Sequence, residues 1–198
     1  MTTPASVAFF DRQFRQQVEQ QDFTLNPFEL AVLPLLRGRV LDYGCGLGNL
    51  ALAAAQRGCR VTALDASATA IASLRTRSEG LPLEAVEADL GDYALGGEFD
   101  AVVSIGLLMF FDCATARRVL LRLQEVVCPG GIAAINTLVA GTTWLDALQN
   151  DAYCLFGRDE LQDSFAGWEL LLAEQHTFPA PGETTKSFAT VIARKPAA

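Results

Sequence analysis

Three carboxylates and three glycines in the first half of the chain have the types and spacing to do chemistry. Asp42, Asp65 and Asp89 each close a short, largely apolar run, and Gly44, Gly46 and Gly48 follow the first of them. Glycine lets backbone approach a ligand closely, because it lacks a Cβ and tolerates φ > 0. The turn, with Cys45 inside it, therefore reads as one wall of a nucleotide-type site. An acid placed before the glycines would repel a pyrophosphate but tolerate a ligand with a cationic end. Asp65, followed by Ala66, is placed to accept both hydroxyls of a ribose, since a carboxylate can take two O–H donors. Asp89 and Leu90 are placed to meet an adenine, the carboxylate at its amino group and the apolar side chain on its ring. Residues from Ser104 and Ile105 to Leu108 are expected beside the reacting centre.

Alternating elements must bring these residues together. Val40-Leu41, the glycine turn and the Ala/Leu-rich segment after Asn49 read as strand, turn and helix. Arg60–Asp65 and Leu83–Ala88 read as strands two and three, with helix Ala68–Arg77, capped by Ser67, between them. Glu98–Ser104 is nearly continuous apolar sequence, as expected in a sheet centre. Asp112 begins a long amphipathic helix, Cys128-Pro-Gly-Gly131 ends it, and Ile132–Leu138 is strand five. This alternation requires a parallel sheet with helices on both faces. Its strand carboxyl ends then open onto one crevice.

Residues 141–167 read as helical and irregular. Trp168–Phe178 and Ser187–Lys195, joined by Pro179–Gly182, are consecutive strands that should pair antiparallel. If the first of them runs parallel to the rest, its end at His176 opens onto the same crevice. His176 is the chain's only histidine, and an imidazole is the side chain suited to binding or deprotonating a second molecule near neutral pH. At the other end, Asn26-Pro27-Phe28-Glu29 carries a capping box for a helix running to about Leu36. Residues 1–25 form a polar arm studded with phenylalanines. Its helix, Ser6–Gln20, is expected to lie over something apolar, as packing or as a lid on a bound ligand. The chain thus divides into a helical arm or lid, 1–25, and one α/β domain, 26–198.

Composition narrows the partners. The 198 residues, 51% hydrophobic, suffice for one sizeable core. A formal net charge of −8 disfavours polyanions, so no nucleic-acid partner is expected. The five scattered cysteines form no C-x-x-C pair. Neither a metal site nor a disulfide framework is indicated, and reduced thiols in a cytoplasmic protein are expected. The longest apolar run, 101–111, is too short to span a bilayer, so no membrane role is expected. A monomer or homodimer acting on a small molecule fits best.

Val40–Leu50, Val61–Asp65, Glu87-Ala-Asp89, Phe99–Phe111 and Pro129-Gly-Gly131 resemble the successive motifs of class I S-adenosylmethionine-dependent methyltransferases. The resemblance implies a Rossmann-like α/β sheet of seven strands, mostly parallel with an antiparallel last strand. It also implies S-adenosylmethionine as cofactor. More narrowly, Leu107-Leu-Met-Phe110 and the tail from Asp159 through Gly167-Trp-Glu and His176 to Phe188–Lys195 are similar to the tellurite-resistance methyltransferases. In that family a His followed by Arg, and a second Arg near the start of the last strand, are implicated at the substrate site. Here Thr177 follows His176, and Lys186 stands near the second Arg position. Lysine keeps a point charge without bidentate geometry. His176 and Lys186 are the catalytic candidates that the resemblance offers. The implied reaction is direct in-line methyl transfer to a small acceptor, either a tellurite-like oxyanion or a small metabolite. Two alternatives stand beside it. One is a nicotinamide-dependent Rossmann oxidoreductase, although its G-x-G-x-x-G fingerprint is not matched after Gly46. The other is a module that binds S-adenosylmethionine without turnover.

Overall fold

The computed structural model describes residues 5–146, 148 and 152–197. Five strands follow one another in parallel: β1 (Arg39–Tyr43), β2 (Arg60–Asp65), β3 (Leu83–Glu87), β4 (Phe99–Ile105) and β5 (Val127–Leu138). After them β6 (Glu169–Ala180) and β7 (Thr184–Arg194) form an antiparallel hairpin. β7 inserts antiparallel against β5, which leaves β6 at the edge and gives the order β3-β2-β1-β4-β5-β7-β6. This is the seven-stranded, mostly parallel sheet with an antiparallel last strand that the family resemblance implies.

Alternation along the strands feeds two cores. Val40, Val61, Ala63, Ala101 and Val103 pack on one face against Leu50, Ala51 and Ala54 of α3 (Asn49–Gln56) and Ile71 and Leu74 of α4 (Ala68–Arg77). Their neighbours Leu41, Tyr43, Leu64, Val102 and Ile135 pack on the other against Val119, Leu120 and Leu123 of α5 (Cys113–Glu125). Central parallel strands buried on both faces are what continuous apolar runs require. Each fully buried Val or Leu contributes roughly 1.5–3 kcal/mol.

The caps behave as read. Asn26 accepts the Glu29 N–H at 2.9 Å and Glu29 accepts the Asn26 N–H at 2.7 Å, opening α2 (Pro27–Val32). A 3-10 turn, Leu33–Leu35, replaces the expected continuation of that helix, because Pro34 has no N–H to donate to the ladder. α1 (Ala5–Gln20) occupies the expected arm, whose first four residues lie outside the described ones. Residues 147 and 149–151 of the 141–167 stretch also lie outside them. The described remainder of that stretch is irregular apart from α6 (Glu160–Asp163).

Two expectations are corrected. Cys128-Pro129-Gly130-Gly131 does not terminate α5, which ends at Glu125, but forms a bulge within β5, since Phe99 pairs with Val127 and Ala101 already pairs with Ile132. Gly130, at φ 74°, absorbs the kink. The cysteines are not all reduced either: Cys113, at the start of α5, and Cys154 form a disulfide. They stand 41 residues apart in sequence but 4.7 Å apart at Cα, a proximity made by the fold and invisible in the spacing. Among the described residues, no helix is long and apolar enough to cross a membrane.

Candidate functional site

The turn after β1 is held open by its neighbour strand. Gly44 and Cys45 both donate backbone N–H groups to the Leu64 carbonyl, at 2.8 and 2.9 Å, and Gly48 N–H closes back on the Cys45 carbonyl at 2.8 Å. Gly48, at φ 68°, lies so close to α4 that a Cβ there would stand 2.4 Å from Leu74 Cδ2. At Gly46 a Cβ would reach the Phe14 ring of α1 at 3.1 Å. Both positions therefore need glycine, one for packing beneath the turn and one for the surface above it. Arg77 braces the turn from α4, donating to the Leu47 carbonyl and, at 3.1 Å, to Asn49 Oδ1.

Asp65 ends β2 with both carboxylate oxygens engaged. Oδ2 accepts the Gly46 N–H and Oδ1 the Ser67 N–H, each at 2.8 Å. Burial raises its pKa, and these N–H groups oppose the shift. Asp42 is more deeply placed, 3% exposed. Burial first, then the nearby carboxylates of Glu29 and Asp65, push its pKa up to about 8. Burial and the same two aspartates also push the Cys45 thiol well up, which leaves it an inert thiol in the wall. The Tyr43 hydroxyl donates to the Leu90 carbonyl at 2.5 Å and so fixes the chain after β3 against β1.

These residues line one cavity of about 1050 Å³ at the carboxyl edge of the sheet, at the upper end of the roughly 300–1,000 Å³ of ligand pockets. Asp42, Gly44, Cys45, Gly46, Gly48, Asp65, Ala66, Leu90 and Ile105 all reach it, as do His176 and Lys186. Two of the expected residues do not. Asp89 is exposed, and its Oδ1 accepts the Gly91 N–H at 3.0 Å in a local turn. Ser104 is fully buried in β4, its hydroxyl without a hydrogen-bond partner among the described residues.

Sequence reasoning missed several wall residues. Glu29 was legible only as a cap, yet it lines the cavity beside Asp42. Glu174 was recoverable from period two: it lies two residues before His176 and shares its face, with Oε1 3.7 Å from His176 Nδ1. Trp144 had no signal in the sequence. Its ring lies 3.7 Å below Lys186 Nζ, so the Lys186 ammonium rests on an aromatic face. Across the cavity Phe10 of α1 meets Phe110 edge-on at 5.0 Å between centroids.

Residues 40–131 match a family described as a methyltransferase domain. An uncharacterized methyltransferase of Mycobacterium tuberculosis is 39% identical over 110 residues, 55% of each protein. A protein named Hemagglutinin 1, from Eikenella corrodens, is 30% identical over 167 residues, covering 80% of this chain and 55% of that protein. The chain thus spans about half the length of these curated relatives. Among solved structures, TehB from Haemophilus influenzae shares the fold with a TM-score of 0.77 at 21% identity, over 90% of this chain and 65% of that one. The matched domain begins on β1 and ends at Gly131 in β5, so likeness in sequence falls on the same strands and turns that build the glycine-lined wall. Over residues 40–131 the chain is therefore a methyltransferase domain by likeness in sequence, and the whole shares the fold of TehB.

Proposed function

We propose that this protein transfers the methyl group of S-adenosylmethionine to a small-molecule acceptor. The observation that carries the reading is one cavity in which the glycine turn, Asp42 and Asp65 form one half, and the ends of β5 and β6 and the start of β7 form the other. The chemistry of the first half fits the donor. Asp65 retains lone pairs for ribose hydroxyls. Glu29 supplies an anionic partner for an ammonium group, and Asp42 becomes one by giving up its proton as that group binds. The close approach of backbone at Gly46 leaves no room for a side chain in the cradle. When bound, the donor supplies an electrophilic methyl carbon: the acceptor heteroatom forms a bond to it as the carbon–sulfur bond breaks, the electron pair stays on sulfur, and the acceptor's proton is released.

The protein's own residues have modest tasks in such a reaction, chiefly alignment and exclusion of water. α1 serves as the lid. Its Phe10 and Phe14 rings close over the glycine turn and the Phe110 turn. Asp11 latches it to the start of α4, accepting from Ser67 Oγ at 2.7 Å and more weakly from Thr69 N–H at 3.4 Å. His176 and Lys186 stand at the acceptor end, as base and as positioning charge. The chain acts as a monomer or homodimer.

Calorimetric titration with S-adenosylhomocysteine, with NADH as the competing ligand class, tests the donor assignment. Saturable binding of the former alone is expected, and preference for NADH would overturn the reading. Formation of S-adenosylhomocysteine from the donor, across an acceptor screen, separates an enzyme from a binding module.

A further inference from the structure

The acceptor half of the cavity is floored by three strands in register. Asn136, Thr190 and Glu174 form one rung across β5, β7 and β6, and Leu138, Phe188 and His176 form the next on the same face. Phe178 and Lys186 pair beyond them. The first rung is polar, with Asn136 Nδ2 donating to Thr190 Oγ1 at 2.9 Å. The outer ones are aromatic: Phe178 and Phe188 lie 6.2 Å apart between centroids, and His176 and Phe178 also 6.2 Å. Met109, Phe110 and Trp144 complete the wall. Phe178 is 51% exposed. A water-facing phenyl ring in a cavity wall is a surface that another flat ring would cover.

The charges have one dominant sign. The carboxylates of Glu29, Asp65 and Glu174 line the cavity, with the protonated Asp42 beside them, against the single ammonium of Lys186, and no arginine is among the described wall residues. That ammonium is already seated on Trp144. A small oxyanion is best recognised by forked guanidinium donors, and the described wall of this half holds none, while placing Glu174 beside it.

Resting on the donor reading above, we infer that the acceptor is a flat aromatic or heteroaromatic alcohol with no net negative charge, and that small oxyanions are excluded. The ring lies against Phe178 and Phe188 while its hydroxyl points along the polar rung toward the donor half. A hydroxyl is protonated at neutral pH, so its transfer needs a proton acceptor. The acceptor oxygen bonds to the methyl carbon as the carbon–sulfur bond breaks with its electron pair left on sulfur. The hydroxyl proton passes to the His176 imidazole and then to water. The Glu174 carboxylate, 3.7 Å from His176 Nδ1, stabilises the imidazolium formed.

The full chain, saturated with S-adenosylhomocysteine, is titrated in a calorimeter with naphthol, with hydroxynaphthoate (the same ring bearing a carboxylate) and with tellurite. Naphthol is expected to bind roughly tenfold tighter than hydroxynaphthoate, the scale of one partly screened like charge, and tellurite to give no saturable heat. With S-adenosylmethionine in place of the product, mass spectrometry should find methoxynaphthalene. Glu174→Gln should narrow the gap between the two naphthalene probes severalfold. S-adenosylhomocysteine affinity measured in the variant reports that its fold is intact. Equal binding of the two naphthalene probes overturns the inference, as does tighter binding or methylation of tellurite. So does the absence of binding by every probe while the product is bound. Failure to bind S-adenosylhomocysteine at all is a different outcome, and removes the donor reading on which the inference rests.

Discussion

At the scale of single residues, the site turns on two carboxylates with different surroundings, Asp42 buried and Asp65 half-buried. Asp65 is tied to two backbone N–H groups. Asp65→Ala should weaken S-adenosylhomocysteine binding about 10–100-fold, the equivalent of about 1.5–3 kcal/mol for hydrogen bonds to a charged group, as read by calorimetry. Asp42 has the opposite problem. Burial, with Glu29 and Asp65 beside it, holds its pKa at about 8, against about 3.9 in an unfolded chain. Between those two values the folded protein keeps a proton that the unfolded chain gives up. The stability it contributes is complete below about pH 4 and is lost as pH rises through about 8. Asp42→Asn should therefore flatten the decline of Tm between pH 5 and 8 in the ligand-free protein. If the donor's ammonium pairs with Asp42, ligand binding at pH 7 should also release protons, visible as a buffer-dependent binding enthalpy. Buffer-independent enthalpies would separate Asp42 from that role.

At the scale of elements, the turn after β1 and the helix above it depend on close approach. Gly48→Ala would place a Cβ 2.4 Å from Leu74 Cδ2 at a residue with φ 68°. Strain and overpacking together should cost about 1–3 kcal/mol, seen as a lower midpoint in urea. Asp11→Ala removes the acceptor for Ser67 Oγ while leaving the Ser67 cap on Ala70 N–H, at 3.1 Å, in place. Limited proteolysis within α1 should accelerate, and S-adenosylhomocysteine affinity should fall severalfold. Unchanged proteolysis and affinity would mean that α1 is packing and not a lid.

At the scale of the whole molecule, the Cys113–Cys154 disulfide joins the start of α5 to the segment that follows Trp144, and the Cys154 N–H donates to the Met109 carbonyl at 3.1 Å. The crosslink therefore pins Cys154 beside the turn that carries the wall residues Met109 and Phe110. A loop closed across 41 residues stabilises by roughly 2–4 kcal/mol. Thermal scans with and without a reductant should show a lower Tm on reduction, an effect absent in Cys113→Ser.

The sequence by itself determined the frame: the strand–helix rhythm, the capped helices, and the glycine turn with Asp42 and Asp65 at neighbouring strand ends. These were legible because propensity, capping and period-two burial act within a few residues of each other, and parallel topology then brings the strand ends to one edge. What the acceptor half contains was decided only by the tertiary structure. Glu174, Trp144, Phe178 and Lys186 meet because β7 inserts between β5 and β6, and because the loop after β5 folds back over the cavity. The meeting of Cys113 with Cys154 has the same origin. Asp89 shows the converse. Its position at a strand end was readable, but the turn at Gly91 directs its carboxylate into a local hydrogen bond. Contacts between residues far apart in sequence are set by how the layers pack, and no local pattern in the chain encodes them.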